Sequence, residues 1–357
     1  MAAPREQEAR EASAAFHAAM IYLGIQALDD ALDAWAVVPP TPGQAPAALG
    51  RWLAKAVSQV LKGHDRARDL AVAYYRLHRA LYTGSTIQDL DSPGETSVTL
   101  GELRKDFRDI VAGVGSPTTT SDLTEAALER AEVNEAPAKP RLSSKRKSDD
   151  KLVIKVEKVA GLEEALKADR AELEDAIRTS LEVTGADSLT RKLRAIPKDQ
   201  PAKAVDDRRD QAHSTAGHTQ ASSAARHVMN GARAHLQLVG AKDRRAIGWV
   251  RVSGTGTPCG FCAMLISRGV FYSSEKAAGG AGADDYHDNC FCYAEPIYSN
   301  KQFATDPRFA LNRQYRAEWQ RLIADKGLKG NRALNAWRTH IRNSQQAGTE
   351  KTTQGVA

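Results

Sequence analysis

"TPCGFCAMLISRGVFY", residues 257–272, and "YHDNCFCYAEPIY", residues 286–298, hold every cysteine of this chain. Strand-like runs surround them. "AIGWVRVSG", "GVFYSS" and "CYAEPIYS" are rich in β-branched and aromatic residues and bounded by glycine or polar turns. "GFCAMLISRG", between the first two, suits one or two helical turns. If the strands pair, five sulfur and nitrogen donors converge: Cys259, Cys262, His287, Cys290 and Cys292. Zinc takes four such ligands tetrahedrally, from cysteine thiolate and histidine nitrogen. Two half-sites on neighbouring turns can close round one ion without a large core. That suits a small subdomain spanned by "KAAGGAGADD", residues 276–285. Zinc is the expected cofactor, on those five candidate ligands.

The cysteines leave other readings open. Residues two apart in a strand share a face but stand well separated. Cys290 and Cys292 therefore need a bulge or turn for both to ligate, and His287 can replace either. The thiols can instead be reduced and merely packed, or paired in a disulfide. Cys259 with His287 can be read as nucleophile and base, but no third orienting residue is evident beyond the nearby Asp284, Asp285 and Asp288. A thioredoxin-like use of Cys259-x-x-Cys262 needs a βαβ context that the sequence lacks.

Outward from this stretch the chain reads as helix. Phe16, Met20, Leu23, Ala27 and Ala31 follow 3–4 spacing within residues 1–38. "VVPPTPGQAP" ends that helix. A second helical stretch begins near Ala47, and a third runs from Asp65 to a glycine cap at Gly84. In the third, Leu70, Ala73, Tyr74, Leu77 and Leu81 share a face. Arg66, Arg68, Arg76 and Arg79 are read as its solvated side. "STIQDLDSPGETSV" is loop-rich, and Thr99 stands at capping-box spacing before Glu102. "APAKPRLSSKRKSDD", residues 136–150, reads as a basic Pro/Ser linker. "KLVIKVEKV" alternates like a strand, and "GLEEALKADRAELEDAIRTSLEV" is an amphipathic helix. Residues 204–240 form a helical block with a small-residue face of Ala212, Ala216, Ala221, Ala225, Val228, Ala232, Leu236 and Val239. Its histidines, His213, His218, His227 and His235, share no tight metal-binding face and read as ordinary helix residues. "NRQYRAEWQRLIADKG" and "NRALNAWRTHIRNSQQ" make two arginine-rich helices, with a disordered tail expected from Gly348.

The expected fold class is mainly α with a small β-hairpin, zinc-type subdomain near the C-terminus. The expected organisation is a helical region at 1–135, the linker at 136–150, a domain at 151–300 with the Cys/His module at 247–298, and a helical extension at 301–357. Hydrophobic content is 42%, aromatics are only 6%, and the net charge is +6. A mildly basic surface permits an acidic partner without demanding one. "MAAPREQEAREASAAF" carries charge and no apolar core of the signal-peptide kind. "AAMIYLG" is too short to span a bilayer. Synthesis in a cytoplasm and no membrane contact are expected. In a reducing compartment, clustered cysteines favour a metal or redox site over disulfides.

The order Trp249–Val252, Cys259-x-x-Cys262, Gly269–Tyr272, His287-x-x-Cys290-x-Cys292 and Pro296 resembles the C-terminal domain of phage Mu F-like minor head proteins. The ending "HDNCFC" is its most specific piece. The Cys-x-x-Cys form and the upstream "ARDLAVAYYRLHRALYTGSTI" are similar to the actinophage branch, whose members are also labelled capsid maturation proteases. The resemblance covers about residues 205–300. It departs from the common pattern at Asp288, where relatives often carry proline. It implies a virion protein of few copies, made in the host cytoplasm, that meets portal and capsid or scaffold proteins in head assembly or DNA delivery. Two alternatives stand beside that expectation. A maturation protease would draw on Ser214, Ser222, Ser223 or Ser253 near His213, His218 and His227, none in a recognised nucleophile signature. A nucleic-acid-binding module would use Lys145, Arg146 and Lys147 with Arg313, Arg316, Arg321, Arg332, Arg338 and Arg342.

Overall fold

The computed structural model describes residues 4–41, 43, 45–89, 92, 94–114, 148–164, 172–197, 199–254, 256–270 and 286–354. It is mainly α with two small sheets. The chain divides into two compact units. One comprises Met1–Leu238 with Ala283–Cys290; the other comprises Val239–Gly282 with Phe291–Ala357.

The first unit is built on three long helices: α1 (Pro4–Trp35), α2 (Pro46–Thr83) and α6 (Ala202–Lys242), whose last turn from Val239 counts with the second unit. The predicted face of α1 is buried at Phe16, Met20, Leu23, Ala27 and Ala31, but so are Ile21, Tyr22 and Ile25. A helix buried nearly all round is a core helix. Phe16 stacks on Tyr74 of α2, with ring centroids 4.3 Å apart. The small-residue face of α6 is buried throughout. It lets backbones close in: a Cβ on Gly231 would overlap the His64 carbonyl oxygen of α2, and one on Gly63 would lie 2.7 Å from Val228 of α6. Gln220 of α6 donates to the Ala31 carbonyl at 2.9 Å, and Trp35 donates to the His213 carbonyl at 3.2 Å.

This approach corrects the sequence reading of α2. The second and third helical stretches are one helix through Gly63-His64-Asp65. Gly63 is small because α6 presses against it, not because the helix stops there. Gly84 does cap the end, with φ 75° and its N–H on the Ala80 carbonyl.

A three-stranded sheet follows. β1 (Ser85–Ile87) pairs parallel and β2 (Ser97–Thr99) antiparallel with the central β3 (Val153–Glu157). The alternation expected of β3 holds, with Ile154 and Val156 buried. β1 and β2 were hidden in a segment that reads as loop, because three residues carry too little pattern to register. The capping box opens α3 (Leu100–Val114): Thr99 N–H donates to Glu102 Oε2 at 2.7 Å, and Glu102 N–H to Thr99 Oγ1 at 3.2 Å.

Two of the four arginines expected on a solvated face are buried instead. Arg79 donates to Glu157 of β3 at 2.7 Å and to Ser85 at 2.9 Å. Arg76 reaches Asp89 at 3.0 Å, Glu95 at 2.5 Å and the Ile87 carbonyl at 3.3 Å. They tie α2 to the sheet. Arg66 and Arg68 keep more exposed positions. Arg104 likewise gathers Glu8 at 2.7 Å and Asp150 at 2.6 Å. Thus the end of the expected linker is held to α1 and α3, while its residues 136–147 lie outside the described residues. α4 (Leu173–Thr184) realises the latter part of the expected amphipathic helix, and α5 (Ala186–Arg194) follows.

The second unit carries β4 (Gly248–Val252) and β5 (Tyr293–Ile297), paired antiparallel from Gly248↔Ile297 to Val252↔Tyr293. Between them lies α7 (Gly260–Ser267), the expected short helix. Most of "GVFYSS" and all of "KAAGGAGADD" lie outside the described residues. α8 (Asn300–Thr305), α9 (Ala310–Trp319) and α10 (Gly330–Gln354) complete the unit. Trp337 is fully buried against Tyr315 and Trp319, at 5.8 and 5.2 Å. α10 runs on past Gly348 to Gln354, where the sequence reading expects a disordered tail. One glycine among Ala347, Glu350 and Lys351 does not outweigh their helix preference.

Two predictions follow from the first unit. Gly231→Ala is expected to lower stability by about 1–3 kcal/mol, read by urea denaturation, because backbone has to move. The second concerns acid. Burial pushes His227 from its ordinary 6.5 down to about 4, and His235 down to about 3. Both bind fewer protons folded than unfolded, so their contribution is whole above about pH 6.5 and lost as pH falls towards those values. Between pH 7 and 5 each is expected to cost about 2 kcal/mol. His235→Leu should show a smaller loss over that range.

Candidate metal centre

Hydrogen bonds and a short helix set the first half-site. Cys259 caps α7, with its Sγ accepting the Cys262 N–H at 3.4 Å. Its sulfur thus sits at the positive end of a helix, beside an N–H donor. Cys259 is exposed and Cys262 is buried. Arg251 of β4, itself buried, places Nη2 3.8 Å from Cys262 Sγ, which adds positive charge beside that sulfur. Its backbone is fixed as well: Asn312 of α9 donates to the Arg251 carbonyl at 2.7 Å and to the Ile266 carbonyl at 3.3 Å. One buried amide thus ties β4, α7 and α9 together.

β5 brings the second half-site. Cys292 is buried directly ahead of Tyr293. The antiparallel pairing returns the chain to the end of β4, where Val252 opposes Tyr293. The sulfur atoms of Cys262 and Cys292 lie within 4.8 Å of one another, as do those of Cys259 and Cys262. Within this unit, Cys292 of the second half-site therefore lies beside the Cys259-x-x-Cys262 pair. No disulfide joins the four cysteines.

Cys290 stands one residue beyond, across Phe291, and with His287 belongs to the short segment of the first unit. There the chain makes a tight turn: Cys290 N–H donates to the His287 carbonyl at 3.2 Å, and Asn289 sits at φ 61°. Asparagine tolerates that left-handed conformation better than most residues. Neither Cys290 nor Cys292 lies in the strand, so the separation expected of alternate strand residues does not arise. His287 Nδ1 is 2.6 Å from the Asp288 carbonyl oxygen. A carbonyl only accepts, so Nδ1 carries the proton and Nε2 keeps the lone pair a metal needs. Asp288 pairs with Arg226 of α6 at 2.8 Å. Arg233, stacked 4.0 Å over Tyr286, donates to the Cys290 carbonyl.

Within the second unit the three thiols of Cys259, Cys262 and Cys292 are a donor set able to hold a metal ion. Cysteine sulfurs with positive charge nearby are donors that suit a borderline-soft metal ion. Arg226, Arg233, Arg251, Asn289 and Asn312 escaped sequence reasoning. Only Asn289 left a local signal, as a turn-prone residue before Cys290. The arginines meet their partners through tertiary structure.

Two of the serines weighed for catalysis make other contacts. Ser222 donates to the His218 carbonyl within α6 at 3.0 Å, and Ser223 is buried 2.7 Å from Ser180. His213 sits on the Val38 carbonyl at 2.6 Å.

A mainly α chain with a cysteine-bearing β module is the class these features define. Residues 164–320, the segment holding both half-sites, match the model of a viral protein family described as VG15 protein. No curated protein and no solved structure matches the chain. No described helix is long and apolar enough to cross a membrane.

Native mass spectrometry of the full chain is expected to give one bound ion, lost on chelation. Cys262→Ser and Cys292→Ser should each abolish it. Arg251→Gln should keep the fold and weaken metal affinity about tenfold, the usual scale for removing a supporting partner.

Proposed function

We propose that this chain is a minor capsid protein of a bacteriophage, of the Mu F-like kind. It acts as a structural part of head assembly or DNA delivery where portal and capsid meet. The observation that carries the reading is a coincidence: the segment matched by a viral family model also contains the converging cysteine half-sites. In this reading the ligands Cys259, Cys262, His287, Cys290 and Cys292 supply the four sites of one zinc ion. The metal does no chemistry on a substrate. It replaces the apolar core that a two-stranded sheet is too small to build. The region at 1–135 is the part that meets portal or capsid protein.

Arg251, Asn312 and the Cys259 cap hold the first half-site in place, so that part of the module is a rigid platform. A platform that must keep its shape while heads are built gains from a metal staple.

The test is to purify heads of the parent phage and cross-link them. A few copies per head, with cross-links from residues 1–114 to the portal protein, are expected. Absence of the chain from finished heads would overturn the structural reading. A defined processing product that disappears in a Ser214, Ser222, Ser223 or Ser253 variant would replace it with the maturation protease.

A further inference from the structure

The outer face of α10 carries arginines with no carboxylate beside them. On other helices several exposed cations do have a carboxylate one turn away: Lys105 with Asp109, Arg178 with Glu174, Lys203 with Asp207 and Arg209 with Asp206. Such pairs neutralise a solvated helix. From Gly330 to Gln346 the sequence contains no carboxylate at all. Ala333, Trp337 and Ile341 face inward. Arg332, Asn335, Arg338, Thr339, Arg342 and Asn343 are exposed on the remaining side. Positions 332, 335, 339 and 342 share one stripe, and 335, 338 and 342 share the next, so the three guanidinium groups lie along one side of the helix. Among the described residues these three arginines have no ion-pair partner.

The helix is also fixed in place. Gln345 donates to the Pro258 carbonyl at 2.9 Å, and a Cβ on Gly260 would lie 2.8 Å from Arg338 Cγ. The Arg338 stem therefore lies on the start of α7, next to Phe261, which keeps 37% of its surface exposed.

We propose that this face binds the phosphate backbone of double-stranded DNA without reading sequence. The three arginines span about 15 Å of helix at 1.5 Å per residue. A single DNA strand presents about four phosphates over that length, one per 3.4 Å. Arginine, asparagine and threonine are the side chains that contact phosphate oxygens. An acidic protein surface would satisfy the arginines equally, but gives no role to the interleaved amides and hydroxyl. The inference stands on the second unit alone and depends on neither the metal nor the portal contact.

The experiment is fluorescence anisotropy of a labelled random-sequence duplex with the full chain, from 50 to 200 mM salt. Binding should fall linearly on logarithmic axes. The triple variant R332Q/R338Q/R342Q should bind at least tenfold more weakly at 50 mM, with its slope reduced by about 2–3, near one per lost phosphate contact. These side chains are exposed, and an unchanged melting curve checks the fold. The variant K145Q/R146Q/K147Q should keep the parental slope. Three results would overturn the proposal: no binding by the parent at 50 mM, unchanged affinity and slope in the triple variant, or polyglutamate competing as well as DNA.

Discussion

The first unit depends on how closely α6 can lie against α2. At Gly231 there is room for a hydrogen and nothing more before the His64 carbonyl. That limit dictates the alanine face along α6 and the glycine at position 63. A chain with 6% aromatics cannot fill wide gaps between helices with large side chains. It fills them by removing the gaps. Dispersion contacts between close backbones then do what large side chains do elsewhere. The few aromatics are spent at helix ends and crossings, as with Trp35 edge-on to Trp52 at 4.8 Å.

Buried arginine is the second device. Arg76, Arg79 and Arg104 each gather carboxylates from segments distant in sequence. A buried ion pair is costly to desolvate and severe to break, so its partners are effectively fixed. In the second unit Arg308 plays this part for Glu295, which has no exposed surface and lies 2.6 Å from it. These contacts place short strands that lack the apolar content to place themselves.

The cysteine module joins the two themes. Its strands have five residues each, too few to hold a site by sheet pairing alone. Asn312 secures the backbone, and Arg251 and the α7 N-terminus offset thiolate charge. A bound ion would then complete a frame whose donors are already drawn together, instead of ordering a loose loop. The uncharged-acid face of α10 sits on that same frame through Pro258 and Gly260.

Local pattern was enough for much of this. Periodicity marked α1, the two halves of α2, the small face of α6 and β3, and β-branched and aromatic content between turns marked β4 and β5. Residue type and spacing alone marked the capping box, the Gly84 cap and the five metal-ligand candidates, because caps and ligands are properties of neighbours in sequence. What stayed hidden depends on distant partners. Gly63 looks like a break until Val228 is seen against it. Arg76 and Arg79 look solvated until β3 brings Glu157 and the loop brings Asp89 and Glu95. Three-residue strands are invisible until a central strand pairs them. Arg251 and Asn312 become site residues only when the fold carries them to Cys262 and to the backbone around it. Sequence determines what each short segment can form; the tertiary structure alone decides which charges are buried together, because burial is set by segments far apart in the chain.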